Sequence, residues 1–235
     1  MLKRTTHRPH SLPKGPWLMT QTWKNVLFAH WPLSPTTLQT KIPAPLEIDT
    51  YDGQAWIGII PFDIVRLRAR FLPPVPFAHA FPEVNVRTYV TFNGQPGVYF
   101  FSLDADHRLA VRMARSLFHL PYFYADMEVK RENGFIRYHS YRPNAMFEAA
   151  YQPTSHVFTA EKGTLDDWLT ERYRLYTTHR RNLYALDIHH NPWPLQHAEA
   201  DFHKNTMFLE LSNTKPLLHY AKRQKVFFWP LHRCT

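Results

Sequence analysis

Residues 83–103 read Glu83-Val84-Asn85-Val86-Arg87-Thr88-Tyr89-Val90-Thr91-Phe92, then Asn93-Gly94-Gln95-Pro96-Gly97, then Val98-Tyr99-Phe100-Phe101-Ser102-Leu103. In the first run Val84, Val86, Thr88, Val90 and Phe92 alternate with Glu83, Asn85, Arg87, Tyr89 and Thr91. A period of two is that of a strand, whose successive side chains point to opposite faces. Asn93-Gly94 can adopt the positive φ values of a tight turn, and a second β-branched and aromatic run follows. The stretch therefore predicts an antiparallel β-hairpin and sets the expectation for the rest of the chain.

Upstream, Val65, Leu67, Ala69 and Phe71 alternate with Arg66, Arg68 and Arg70, and Pro73, Pro74 and Pro76 suggest a turn before Glu83. Ala55–Phe62 is a continuous apolar run, as in a strand buried on both faces. Between Trp17 and Trp31, Trp23, Leu27, Phe28 and Trp31 fall on one helical stripe, which predicts an amphipathic helix ended by Pro32 and Pro35. Residues 1–16 are expected to form a loose basic arm.

Downstream, Leu109, Met113 and Leu117 recur every four residues beside Ala110, Ala114 and Phe118. This predicts a helix capped by Asp106 and ended by Pro121. Short strands are expected near 123–130, 135–142, 146–151, 156–161, 174–178, 183–189 and 206–211, with a capped helix starting at Thr164. The fold class is α+β, a mainly antiparallel β-barrel or sandwich with a few flanking helices, as one domain over residues 17–235.

Composition narrows the chemistry. Seven glycines in 235 residues leave no phosphate-cradling loop at a strand–helix junction. One cysteine, Cys234, excludes disulfide frameworks and cysteine-based zinc sites. No apolar run is long enough to span a membrane, and the basic N-terminus lacks the apolar core of a signal peptide, so a cytoplasmic location is expected. The net charge of +9 is concentrated at the ends. Residues 1–46 and 211–235 hold eleven basic and no acidic residues, leaving 17 of the 28 basic residues against all 19 acidic ones between them. A near-neutral body disfavours nucleic-acid binding, which would need a basic stripe on the fold itself.

Glu83, Asn85 and Arg87 share one strand face, and Arg66 and Arg68 share one on the preceding strand. If these faces line a barrel interior they form a charged pocket suited to a carboxylate; alternation alone would equally place them in solvent. Fifteen histidines invite a metal site, but His189 and His190 point to opposite strand faces, and His197 and His203 add no recognisable ligand spacing, so no metal or other cofactor is expected. Lys130 shares a face with Asp126 and Glu128 and reads as solvated, and Ser102 lacks the glycines of a nucleophile elbow.

Several blocks together resemble the YqjF-like family: Pro82–Val90, Gly97–Ala105, Ala114-Arg115 through Leu120-Pro121-Tyr122, Leu169-Thr170-Glu171-Arg172-Tyr173, and His190-Asn191-Pro192-Trp193-Pro194-Leu195. The resemblance spans about residues 17 to 210 and implies a fold similar to acetoacetate decarboxylases, whose β-barrel encloses a small pocket. Those enzymes carry Gly-Arg-Glu-x-x-Gly-x-Pro-Lys, and its lysine forms a Schiff base with a keto acid. Here Ala114 and Arg115 match the opening loosely, Pro121 matches the proline, and Tyr122 falls where the lysine belongs. Without an amine there is no imine and no electron sink for decarboxylation.

The resemblance also makes Glu83 similar to a decarboxylase glutamate. It adds weight to Glu83 and Arg87 and brings in Tyr122 and Arg115; together with the strand faces above, the candidates are Glu83 and Tyr122 for catalysis, and Arg87, Asn85, Arg66, Arg68 and Arg115 for ligand binding. The expected ligand is a small organic acid or carbonyl compound, transformed by proton transfer, hydration or retro-aldol chemistry, or simply held by a non-catalytic module. Analogy with related barrels adds a homo-oligomer to the expectations.

Overall fold

A computed structural model describes residues 1–73, 80–211 and 214–234. Among these, the strands in chain order are β1 (Met19–Leu33), β2 (Glu47–Ile48), β3 (Ala55–Ala69), β4 (Ala80–Phe92), β5 (Gln95–Ala105), β6 (Tyr122–Tyr124) and β7 (Asp126–Glu132). They continue with β8 (Phe135–Arg142), β9 (Ala145–Pro153), β10 (Arg174–His179), β11 (Asn182–His189), β12 (Leu195–Asn205), β13 (Leu217–Phe228) and β14 (His232–Arg233). The helices are α1 (Pro35–Gln39), α2 (Arg108–Phe118) and α3 (Leu165–Thr170).

The strands run in the order β11-β10-β5-β4-β3-β1-β13, and β13 pairs back onto β11 through Ile188↔Phe228 and His189↔Phe227. This closes a cone-like ring. All its pairings are antiparallel except β5 with β10. From β13 the sheet continues through β12, β9, β8 and β7. The continuation packs on the outside of the ring: Ala29 and Trp31 of β1, Ile57 and Ile59 of β3, and Val84 and Val86 of β4 share one core with Tyr138, Phe147 and Tyr151. β4 is therefore buried on both faces, its valines outward against the second sheet and Glu83, Asn85 and Arg87 inward.

The hairpin read from the sequence is present, its turn held by Asn93 (φ 50°) and Gly94 (φ 71°). The expected helix at residues 17–31 is instead β1. Its two faces serve two cores, Leu27, Ala29 and Trp31 in one and Val26 and Phe28 in the other. A strand apolar on both faces supplies hydrophobic residues at helical spacings as well. A β-bulge also breaks its alternation: Lys24 and Ala29 face Asp63 and Ile59, one residue more on β1 than on β3, with Asn25 at φ 53°. The Asn25 side chain donates to Asp63 Oδ2 (2.8 Å) and accepts from the Tyr220 hydroxyl (3.0 Å), while its carbonyl accepts from Tyr151 (2.8 Å).

Other expectations are corrected. Residues 55–69 form one strand, reset by a second bulge at Arg66 (φ 54°). The α2 cap is His107, whose Nδ1 accepts from Ala110 N at 3.0 Å, and not Asp106. The segment 156–161 contributes a single bridge, Phe158↔Leu195, and 206–211 is not a strand. Two long strands, β12 and β13, replace them. Pro74 and Pro76 lie outside the described residues. The basic arm is not free of the body: Arg8 is buried, donates to Ile188 O at 2.6 Å and stacks 4.6 Å over Tyr173. No helix among the described residues is long and apolar enough to cross a membrane.

Tyr138 ties the second sheet to the ring. Its buried hydroxyl donates towards Phe62 O (2.8 Å) and Glu83 O (3.0 Å), the carbonyls of two paired residues on β3 and β4. Tyr138→Phe is expected to cost about 1–2 kcal/mol, because the two carbonyls lose a donor where water has no access. Thermal unfolding should show the change as a Tm lower by about 2–8 °C.

Candidate functional site

The ring encloses a cavity of about 290 Å³. β4 crosses its wall, and Phe81, Glu83, Asn85 and Arg87 all line it. Phe81 packs on His107 at the start of α2 (ring centroids 5.4 Å apart), and α2 lies over that end. Each inward step along β4 then advances about 6.6 Å from the helix. Glu83 is thus nearer α2, and the Cα of Arg87 lies about 13 Å further along the strand, where α3 contributes Leu169 O and Thr170.

Tyr122 enters the site because β6 runs parallel to the end of β5, with Tyr122 beside Leu103. Its hydroxyl donates to Glu83 Oε2 at 2.8 Å. Glu83 is 2 % exposed. Burial raises its pKa to about 8, Asp104 adds to the rise and the Tyr122 hydrogen bond opposes it, so the carboxyl is neutral at pH 7. Burial, with Glu83 beside it, holds the Tyr122 hydroxyl well above the ordinary tyrosine range. Asp104 is itself neutralised by Arg142, whose Nε lies 2.7 Å from Oδ2.

Arg87 is 8 % exposed and meets no carboxylate among the described residues. Nη2 donates a long bond to Leu169 O (3.4 Å), and Nε has no partner. The guanidinium lies 5.7 Å from the Phe28 ring and 5.8 Å from the Tyr89 ring. Behind it, the Tyr89 hydroxyl donates to Leu169 O (2.8 Å) and sits 2.7 Å from His30 Nε2. Burial first, then the Arg87 charge, push the His30 pKa well down, so this ring is neutral. Asn85 Oδ1 also lacks a partner. A buried polar atom without a partner in a roomy cavity is a place for a ligand group.

Glu83, Asn85, Arg87 and Tyr122 therefore meet in one cavity. Arg66, Arg68 and Arg115 do not. The bulge at Arg66 leaves Arg66 and Arg68 exposed while Leu67 and Ala69 turn inward, and Arg115 lies on the exposed side of α2. Sequence reasoning missed Gln21, Arg172, Arg174, His190 and Trp193, which line the same cavity. Arg172 donates to Asp49 Oδ2 (2.7 Å) and leaves Nη2 unpartnered. Trp193 takes its place through its backbone N–H, which donates to Glu171 Oε1 (2.8 Å). Burial raises the Glu171 carboxyl to about 7 and lowers buried His190 to about 3.

No lysine lines the cavity, and Lys130 is exposed on β7, paired with Glu128 at 2.9 Å. Among the described residues no group of three or more His, Cys, Asp or Glu side chains could hold a metal ion.

Comparison with known proteins bears on the fold and the family. The chain is 57 % identical over 240 residues, 99 % of each chain, to the uncharacterized protein YqjF of Bacillus subtilis (strain 168). It shares its fold with an acetoacetate decarboxylase-like enzyme from Sphingomonas wittichii RW1 (TM-score 0.66, 13 % identity, 96 % of this chain and 95 % of that one). It shares it also with the enduracididine biosynthesis enzyme MppR, solved with pyruvate (TM-score 0.66, 11 % identity, 97 % and 93 %). The description of the DUF2071 family matches residues 20–225, and the chain belongs to this family of uncharacterized conserved proteins.

Proposed function

We propose that the cavity receives a small carboxylate- or carbonyl-bearing compound and works on it, if at all, without an imine. The observation that carries this reading is Arg87, a guanidinium buried in a largely apolar cavity with no carboxylate beside it and one nitrogen unpartnered. A bidentate anion would satisfy it. MppR, of the same fold, was solved with pyruvate bound, a compound that carries both groups.

In this reading Arg87 orients the acid group, with the Asn85 amide N–H as a second donor to it. Glu83, neutral at pH 7, protonates a carbonyl oxygen, and Tyr122 holds the Glu83 carboxyl in place. Near and above pH 8 the same carboxyl becomes a base able to remove a proton from the carbon beside the carbonyl. With no lysine in the cavity, lyase or hydratase chemistry would run by acid–base steps alone. A second reading, a non-catalytic binding module, is favoured by the same missing amine.

Incubating the protein with 2-oxobutanoate in D2O separates the two. NMR is expected to show deuterium entering the carbon beside the carbonyl, faster towards pH 8 and abolished in Glu83→Gln. Saturable binding with no exchange at any pH would leave the binding module as the function.

A further inference from the structure

The charged groups lie deep in the cavity, and its mouth is aliphatic. Leu109, Met113 and Leu117 of α2 are 53 %, 47 % and 59 % exposed, and Leu18 is 41 % exposed, yet all four line the cavity. The sequence pattern assigns this stripe to a core, but in the fold only Val111 of α2 is fully buried. Water-exposed side chains at four-residue spacing that run on into a buried apolar cavity form a hydrophobic wall with nothing against it among the described residues. At about 290 Å³ the cavity is close to the lower end of the size at which pockets take small-molecule ligands. A four-carbon oxo acid has seven non-hydrogen atoms and would leave the mouth empty.

Resting on the reading that Arg87 receives an acid group, we propose that the ligand is a carboxylic acid with an apolar tail of about six to ten carbons. Its carboxylate meets Arg87, its next carbons pass Glu83 and Tyr122, and its tail leaves under α2 between Leu18 and the Leu109–Met113–Leu117 stripe. The tail then selects the substrate class.

Straight-chain carboxylates from butanoate to dodecanoate, titrated while the fluorescence of Trp23 and Trp193 is followed, test this, since both indoles line the cavity. Affinity is expected to rise about fourfold per added methylene until the stripe is covered, then level off. Met113→Gln combined with Leu117→Gln alters only exposed positions and adds no charge. It should weaken decanoate at least tenfold and butanoate by less than twofold, with the circular dichroism unchanged. Equal affinity from butanoate to dodecanoate, with binding still lost in Arg87→Gln, would overturn the tail and leave the acid site standing. Absence of binding at every length, or decanoate binding equally well to Arg87→Gln and to the parent, would overturn the acid site itself.

Discussion

Arg87→Met is expected to make the protein more stable and nearly unable to bind an organic acid. The guanidinium is buried, with one long bond to a carbonyl and two aromatic faces around it. A buried charge without an opposite partner is among the costliest things a fold can contain. Replacing buried ionic groups by apolar ones of similar volume is neutral to stabilising by a few kcal/mol. The lost aromatic contacts return about 0.5–1 kcal/mol each, so a net gain of about 1–2 kcal/mol is expected. For a chain of 235 residues that raises Tm by about 2–8 °C.

The bound state behaves oppositely. Removing the partner of a buried carboxylate costs about 2–5 kcal/mol, a factor of thirty or more in Kd. Calorimetric titration of octanoate beside a thermal melt reads both quantities from one preparation. A variant that melts lower while holding its affinity would make Arg87 a structural residue, braced on Tyr89 and α3, and remove the main support for an acid ligand.

How far the sequence discloses this architecture depends on how each strand is buried. β4 and β5 show their period because the two faces of β4 differ in polarity, and β8 because its outer face is wet. β1 conceals its period because both faces are apolar and a bulge at Asn25 shifts the phase. β12 and β13 carry charged residues at exposed positions along their length, which reads locally as loop; they are strands because each lies between partners distant in sequence.

The same contrast runs through the site. Glu83, Asn85 and Arg87 are legible as one face of one strand, and long-range pairing decides that the face is inward. Arg66 and Arg68 show an equally good alternation and point to solvent, because one left-handed residue resets the strand. Arg172, His190 and Trp193 fall within the segments that carried the family resemblance, but neither period nor spacing marks them, because they reach the cavity from loops and strand ends.

Glu83→Gln is expected to remove a pH dependence from both stability and binding. The folded carboxyl keeps its proton to about pH 8, whereas the unfolded one loses it near the ordinary value of 4.5. Between these limits the folded state holds the extra proton, so stability falls as pH rises towards 8 and levels off above it. Glu171, raised to about 7, acts in the same direction up to that pH. His7, His30, His179, His189, His190 and His219 have lowered values and act oppositely, adding stability as pH rises through the ordinary histidine value of 6.5. From pH 7 to 8 the difference between the parent protein and Glu83→Gln isolates Glu83. Across that window the parent should lose about 1 kcal/mol more than Glu83→Gln.

Binding follows from the same proton. Once Glu83 ionises, a carboxylate stands on the cavity wall between the mouth and Arg87, and an entering anion must either reprotonate it or face it. Octanoate affinity is expected to fall about tenfold per pH unit above 8 in the parent. It should stay flat in Glu83→Gln, and the uncharged methyl ester should show no slope in either protein. Parallel pH profiles for octanoate in the two proteins would mean that the anion never passes Glu83, so the deep arginine would have to be reached from the α3 side.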